Sequence, residues 1–122
     1  MKIARLIGRI YGISHILQAN CSTLLFLKKE LQQGDILITH HLPSNKCVSD
    51  FFEGNSYNCF FVGDIENIIL QQKPSVVIYG HTHESNYFDL DGVKFYCNPY
   101  GYPREQQKKN MKKFDSNLIV EV

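Results

Sequence analysis

The sequence predicts an α/β protein: a mixed β-sheet with flanking helices. Three observations carry this. Ile36-Leu37-Ile38 and Val76-Val77-Ile78-Tyr79 are short apolar runs with the length and β-branched content of buried strands. A helical pattern precedes each of them. An Asp91-Gly92 turn then joins Tyr87–Leu90 to Val93–Cys97 as a hairpin. Helix–strand units followed by a hairpin give parallel and antiparallel pairing in one sheet.

The elements follow in order. Residues 1–21 form an N-terminal segment without an assigned element. Lys2, Arg5 and Arg9 ahead of Ile10 to Leu17 have a faint signal-peptide character. His15 interrupts the apolar stretch and no A-x-A site follows, so a short helix or irregular segment of the mature protein is the preferred reading. From Ser22 to Gln33, Leu24, Leu27 and Leu31 fall at helical spacing and Leu25 and Phe26 widen the stripe. Ser22 or Thr23 is placed to cap that helix, and Gly34 to end it. Residues 45–63 have no clean period and read as a long loop. Its Phe51, Phe52, Tyr57, Phe60 and Phe61 either line a substrate pocket or pack beside the site, and packing is preferred. Asp64 to Gln72 is a second helix, capped by Asp64 and stopped by Pro74. Residues 98–112 are a polar loop, and Leu118 to Val122 is a final strand.

The 122 residues fit one domain. Thirteen Lys+Arg against twelve Asp+Glu leave a net charge of +1, without the basic excess of an electrostatic nucleic-acid binder. Lys108, Lys109, Lys112 and Lys113 read as a solvated loop. A hydrophobic fraction of 43% argues against disorder. No apolar run reaches the ~18 residues of a membrane span. Cys21, Cys47, Cys59 and Cys97 lack zinc-ribbon spacing. Two disulfides are conceivable, but free thiols in a reducing cytoplasm fit the rest of the chain better.

Four of the five histidines directly follow the two apolar runs: His40 and His41 after the first, His81 and His83 after the second. Ligands of open α/β sheets gather beyond the carboxyl ends of strands, so these imidazoles are aimed at one crevice. Neutral imidazole is a ligand for Zn, Mn or Fe. His81 and His83, two apart, can share a face of an extended loop, and Gly80 permits an unusual backbone angle before them. His40, His81 and His83 are therefore the candidate metal ligands. His41 is either a supporting residue or a mere neighbour, and His15 reads as solvated.

Three segments carry a resemblance: Ile38-Thr39-His40-His41-Leu42-Pro43-Ser44, Gly80-His81-Thr82-His83-Glu84, and Cys97-Asn98-Pro99-Tyr100-Gly101-Tyr102-Pro103-Arg104-Glu105. Together with Phe61-Val62-Gly63-Asp64-Ile65-Glu66 they resemble the second half of the calcineurin-like metallophosphoesterases, from about Leu24 to the C-terminus. The resemblance implies part of an α/β/β/α sandwich and a centre of two divalent ions (Mn, Fe or Zn) that hydrolyses phosphate esters. It implies that the residues matching His40 and His81 hold one ion and that matching His83 the other, with His41 and Asn98 supporting the site or near substrate. Relatives often carry Arg where this chain has Tyr100, which removes any phosphate contact from that position.

The family's D-x-H, G-D-x-x-D and G-N-H motifs are not found upstream of His40, and no acidic residue precedes Glu30. Gly34-Asp35 is followed by Ile38, Gly63-Asp64 by Asn67, and Gly54-Asn55 by Ser56, so none of these is a substitute. Neutral imidazoles alone do not balance two dications. One ion on three histidines is conceivable, since catalytic zinc uses three protein ligands. The expectation is a single partial domain over residues 1–122, the distal half of one of roughly 200 residues. It is inactive alone and calls for a homodimer or a complementing chain. A catalytically dead remnant acting as an interaction module is the alternative.

Overall fold

A computed structural model describes residues 13–105 and 112–122. Lys108 and Lys109, and the signal-like Lys2, Arg5 and Arg9, lie outside the described residues. Helix α1 spans Ile13–Glu30, strand β1 Ile36–Ile38, helix α2 Glu66–Gln72, strand β2 Val76–Ile78, strand β3 Asn86–Leu90 and strand β4 Val93–Cys97. The fold is α/β, with a four-stranded mixed sheet in the order β1-β2-β4-β3. β1, β2 and β4 are parallel, and β3 runs antiparallel to β4.

Helix α1 starts at Ile13, earlier than the periodicity predicts, so Ser22 and Thr23 sit inside it rather than capping it. Lys28 and Lys29 occupy its last turn, where cations complement the helix dipole. Leu27 and Leu31 are buried and Leu24 packs on the core, but Leu25 and Phe26 are exposed and do not widen the stripe. Three apolar positions on one line suffice because α1 touches the core along a single edge. Gly34 takes a left-handed φ of 88° and donates to the Lys73 carbonyl at 3.4 Å, turning the chain into β1. The Gln72 side chain donates to the Lys28 carbonyl at 3.0 Å and ties the helix ends together.

Asp64 does not cap α2. It has a φ of 46°, and the residue at the cap position is Ile65, with no side-chain bond. Glu66 in the first turn instead accepts from the buried Ser44 hydroxyl and from the Lys46 ammonium, which hold its carboxyl below the usual carboxylate range. That junction fastens the loop after β1 to α2. The helix ends at Lys73, itself left-handed at φ 52°, with Pro74 behind it.

The core centres on β2 and β4. Val77, Phe95 and Ile69 are fully buried, and Phe88 stacks on Phe95 with centroids 4.8 Å apart. Among the described residues β1 has a strand neighbour on one side only, and Ile38 is 63% exposed where the continuous apolar run suggests full burial. Asp91 and Gly92 both have positive φ, 52° and 84°, the turn that matches the twist of a two-residue hairpin. The expected strand at Leu118–Val122 does not form. Among the described residues no strand pairs with it, and Ile119 stands 84% exposed. Residues 112–117 instead return along the hairpin through Ser85 and Asn98. Among the described residues no helix is long and apolar enough to cross a membrane.

Phe95→Ala removes the ring stacked at the centre of the sheet. It is expected to cost about 3–5 kcal/mol in urea unfolding. A cost below about 1 kcal/mol contradicts this placement of the core.

Candidate metal centre at the ends of two parallel strands

The site follows from strand register. Ile36, Leu37 and Ile38 pair with Val76, Val77 and Ile78, so β1 and β2 end level with one another. The Thr39 amide extends the ladder by donating to the Ile78 carbonyl at 2.9 Å. The next residues on the two strands are His40 on one and Gly80-His81 on the other. A Cβ added at Gly80 would lie 3.6 Å from the His40 carbonyl, so the two loops run side by side in ordinary contact.

Three imidazoles meet there. His81 Nδ1 lies 3.3 Å from His40 Nε2. Ring centroids are 5.2 Å apart for His40 and His81, 5.3 Å for His41 and His81, and 5.4 Å for His40 and His41. Phe61, carried in by the Leu42–Val62 bridge, lies against His81 at 4.6 Å with planes 31° apart. The positive φ falls on His81 (67°) and not on Gly80. A non-glycine residue in that region carries backbone strain of order 1 kcal/mol or more, a cost concentrated at functional sites. Burial lowers the His81 pKa, and the neighbouring His41, His40 and His83 lower it further. The ring is thereby kept neutral, the form that offers a lone pair.

His83 stands apart from this group. Its Nδ1 is 2.8 Å from Glu105 Oε2, and its ring meets the edge of Tyr102 at 4.7 Å. His40, Gly80, His81, Thr82, His83, Pro99, Gly101 and Tyr102 line one cavity of about 510 Å³. His41 joins the cluster against His81. Asn98 does not line the cavity. It clasps residue 115, receiving the Asp115 amide at 2.9 Å and donating to the Asp115 carbonyl at 2.8 Å. The His15 side chain lies outside what the structure describes.

Two donor nitrogens 3.3 Å apart span the edge of a tetrahedron with metal–nitrogen bonds of about 2.0–2.1 Å. The same distance suits a hydrogen bond between the two rings, one nitrogen donating and the other accepting. The three candidate ligands do not converge on one point, and among the described residues no group of three His, Cys, Asp or Glu is arranged to hold an ion. Phe61 packs beside the site as the sequence suggests, whereas the contacts of Tyr102 and Glu105 with His83 have no signal in the sequence. Glu105 lies 22 residues beyond its partner His83, and no local spacing signals such a pairing. All four cysteines are free, with Cys47 and Cys97 buried against Tyr79, where burial pushes the Cys47 thiol up to about 11. That keeps Cys47 a thiol rather than a thiolate ligand.

Comparison of the chain with protein-family models, with curated proteins and with solved structures found no match.

The His81 environment has a pH consequence. A histidine whose folded pKa lies below its unfolded value adds stability that is complete above about 6.5 and is lost as pH falls through the folded pKa. NMR titration is expected to place the His81 midpoint below 6.5, rising toward it in His41→Gln. A midpoint at or above the ordinary value contradicts the geometry described.

Proposed function

We propose that this chain binds a divalent metal ion between His40 and His81, as the histidine side of a metallophosphoesterase-type centre acting on phosphate esters. The observation that carries the reading is the 3.3 Å separation of His40 Nε2 and His81 Nδ1 at the carboxyl ends of two in-register parallel strands. The division of the histidines supports it as well. Two share one bite while His83 is turned to a separate partner, as a centre of two adjacent ions requires. The four-stranded sheet is then one layer of an α/β/β/α sandwich.

When bound, such ions (Mn, Fe or Zn) supply charge neutralisation at phosphorus and activation of water. The chain's own residues do the rest. His40 and His81 hold an ion as neutral donors, and His41 backs His81. Phe61 keeps water off one face of the His81 ring, and the 510 Å³ crevice admits a phosphate ester. The carboxylate beside this crevice, Glu105, is engaged by His83 and by the Tyr102 amide. Two dications need more negative charge than that. Turnover therefore depends on carboxylates from a second copy or a complementing chain. We place the protein in the cytoplasm on its free thiols. Nucleic acid is not a partner in this reading, given the net charge of +1.

A second reading, a catalytically inactive interaction module, is favoured by one feature. Among the described residues no strand pairs with the outer edge of β1, and Ile38 on it is 63% exposed, a template for strand addition from another chain.

Metal titration by calorimetry, paired with a phosphodiester assay in Mn²⁺, separates the two. We expect sub-stoichiometric metal as purified, binding of added Zn²⁺, and negligible turnover. His40→Ala and His81→Ala should each weaken binding by more than the roughly 10- to 100-fold typical of losing a supporting residue. Affinity unchanged in both variants overturns the metal pair. Robust hydrolysis that vanishes in His81→Ala overturns the need for a complementing chain.

A further inference from the structure

We propose that Glu105 is a positioning residue for His83: its carboxylate fixes the proton of the neutral ring on Nδ1 and so leaves Nε2 as the open nitrogen of the second half of the site. The inference rests on the reading of His83 as a ligand of its own ion.

Four observations converge on Glu105. Its Oε2 lies 2.8 Å from His83 Nδ1, and a carboxylate at that distance accepts from an N–H. The same oxygen accepts the Tyr102 amide at 2.8 Å, so the carboxylate is held from two sides. Gly101, at φ 67°, leaves the room this needs, since a Cβ there would lie 3.0 Å from Glu105 Oε2 and 3.4 Å from His83 Cβ. The Tyr102 ring meets the His83 ring edge-on at 4.7 Å and limits its rotation. The Glu105 and His83 side chains are 22% and 35% exposed, whereas the Lys29 partner in the surface pair Lys29–Glu30 is 82% exposed.

The chemistry follows from these contacts. Which nitrogen of a neutral imidazole carries the proton is set by the hydrogen bond made by the other one. A carboxylate on Nδ1 demands Nδ1–H, which frees the lone pair of Nε2 on a ring that lines the crevice. Carboxylate–histidine pairs of this kind orient metal ligands and raise their basicity. Gly101-Tyr102-Pro103-Arg104-Glu105 is thus a short arm, closed on itself by the Glu105 amide donating to the Tyr102 carbonyl at 2.9 Å, that delivers one carboxylate to one ring.

The test is imidazole ¹⁵N–¹H correlation spectroscopy of His83 in the metal-free chain, at a pH well above the ordinary imidazole pKa of about 6.5. The wild type is expected to show the Nδ1–H tautomer, and Glu105→Ala to shift it toward Nε2–H. Glu105→Gln keeps an acceptor oxygen in place, retains Nδ1–H and controls for folding. An Nε2–H tautomer in the wild type, or one unchanged by Glu105→Ala, overturns the proposal. Zn²⁺ titration of the same samples examines the reading beneath it. The His83-dependent part of binding should fall about 10- to 100-fold in Glu105→Ala, with the part that depends on His40 and His81 unchanged. If no binding depends on His83 while the tautomer behaves as expected, His83 is not a ligand and the positioning role of Glu105 stands.

Discussion

The parallel, in-register pairing of β1 with β2 is the constraint from which the site follows. Three residue pairs, Ile36–Val76, Leu37–Val77 and Ile38–Ile78, set the height at which both strands end. A slip of one residue would turn every side chain of the shifted strand to the opposite face and carry His40 away from His81. Register is held from below by Val76 and Val77, which are almost wholly buried, and from above by the Thr39 amide on the Ile78 carbonyl. It is held from the side by Glu66, which fastens Ser44 and Lys46 in the loop after β1 to helix α2. The histidine cluster is therefore a product of core packing rather than of its own interactions. Left to themselves, three imidazoles at this spacing gain little from one another.

The strain sits where that packing can bear it. His81 adopts a left-handed backbone between β2, whose Val76 and Val77 are buried, and the cavity, with Phe61 against its ring and His41 beside it. These neighbours restrict the ring and favour its neutral form. On the other side of the crevice, Gly101 at positive φ folds the 98–105 loop back so that Glu105 reaches His83. The two sides of the crevice are built by different means. One comes from strands in register, the other from a loop closed by a carboxylate.

Much of this was legible in the sequence, and the parts that were not have physical reasons. The two apolar runs and the Asp91-Gly92 turn identified all four strands, because burial and turn geometry are local properties. Leu118–Val122 has the apolar composition of a strand, yet it pairs with none of the four described strands, and Ile119 and Val122 stand exposed. Helix α1 extends well before Ser22 because nothing in residues 13–21 breaks a helix, while the periodicity shows only where the helix touches the core. His40, His41 and His81 could be grouped from their positions after two strands. His83 could be grouped with them on the same ground, and it lines the same crevice. A loop distant in sequence draws it to Glu105, and only the folded chain brings those two residues together. Asn98 shares a segment with Glu105, and its side chain bonds the Asp115 backbone and the Ser85 and Tyr87 hydroxyls.

The central claim is that His40 and His81 close on one ion. Anomalous X-ray scattering at the zinc edge, from crystals of the chain soaked in Zn²⁺, tests it directly. A peak about 2.0–2.1 Å from both His40 Nε2 and His81 Nδ1 is expected. An empty position between them, with the two imidazoles still in their 3.3 Å contact, would contradict it.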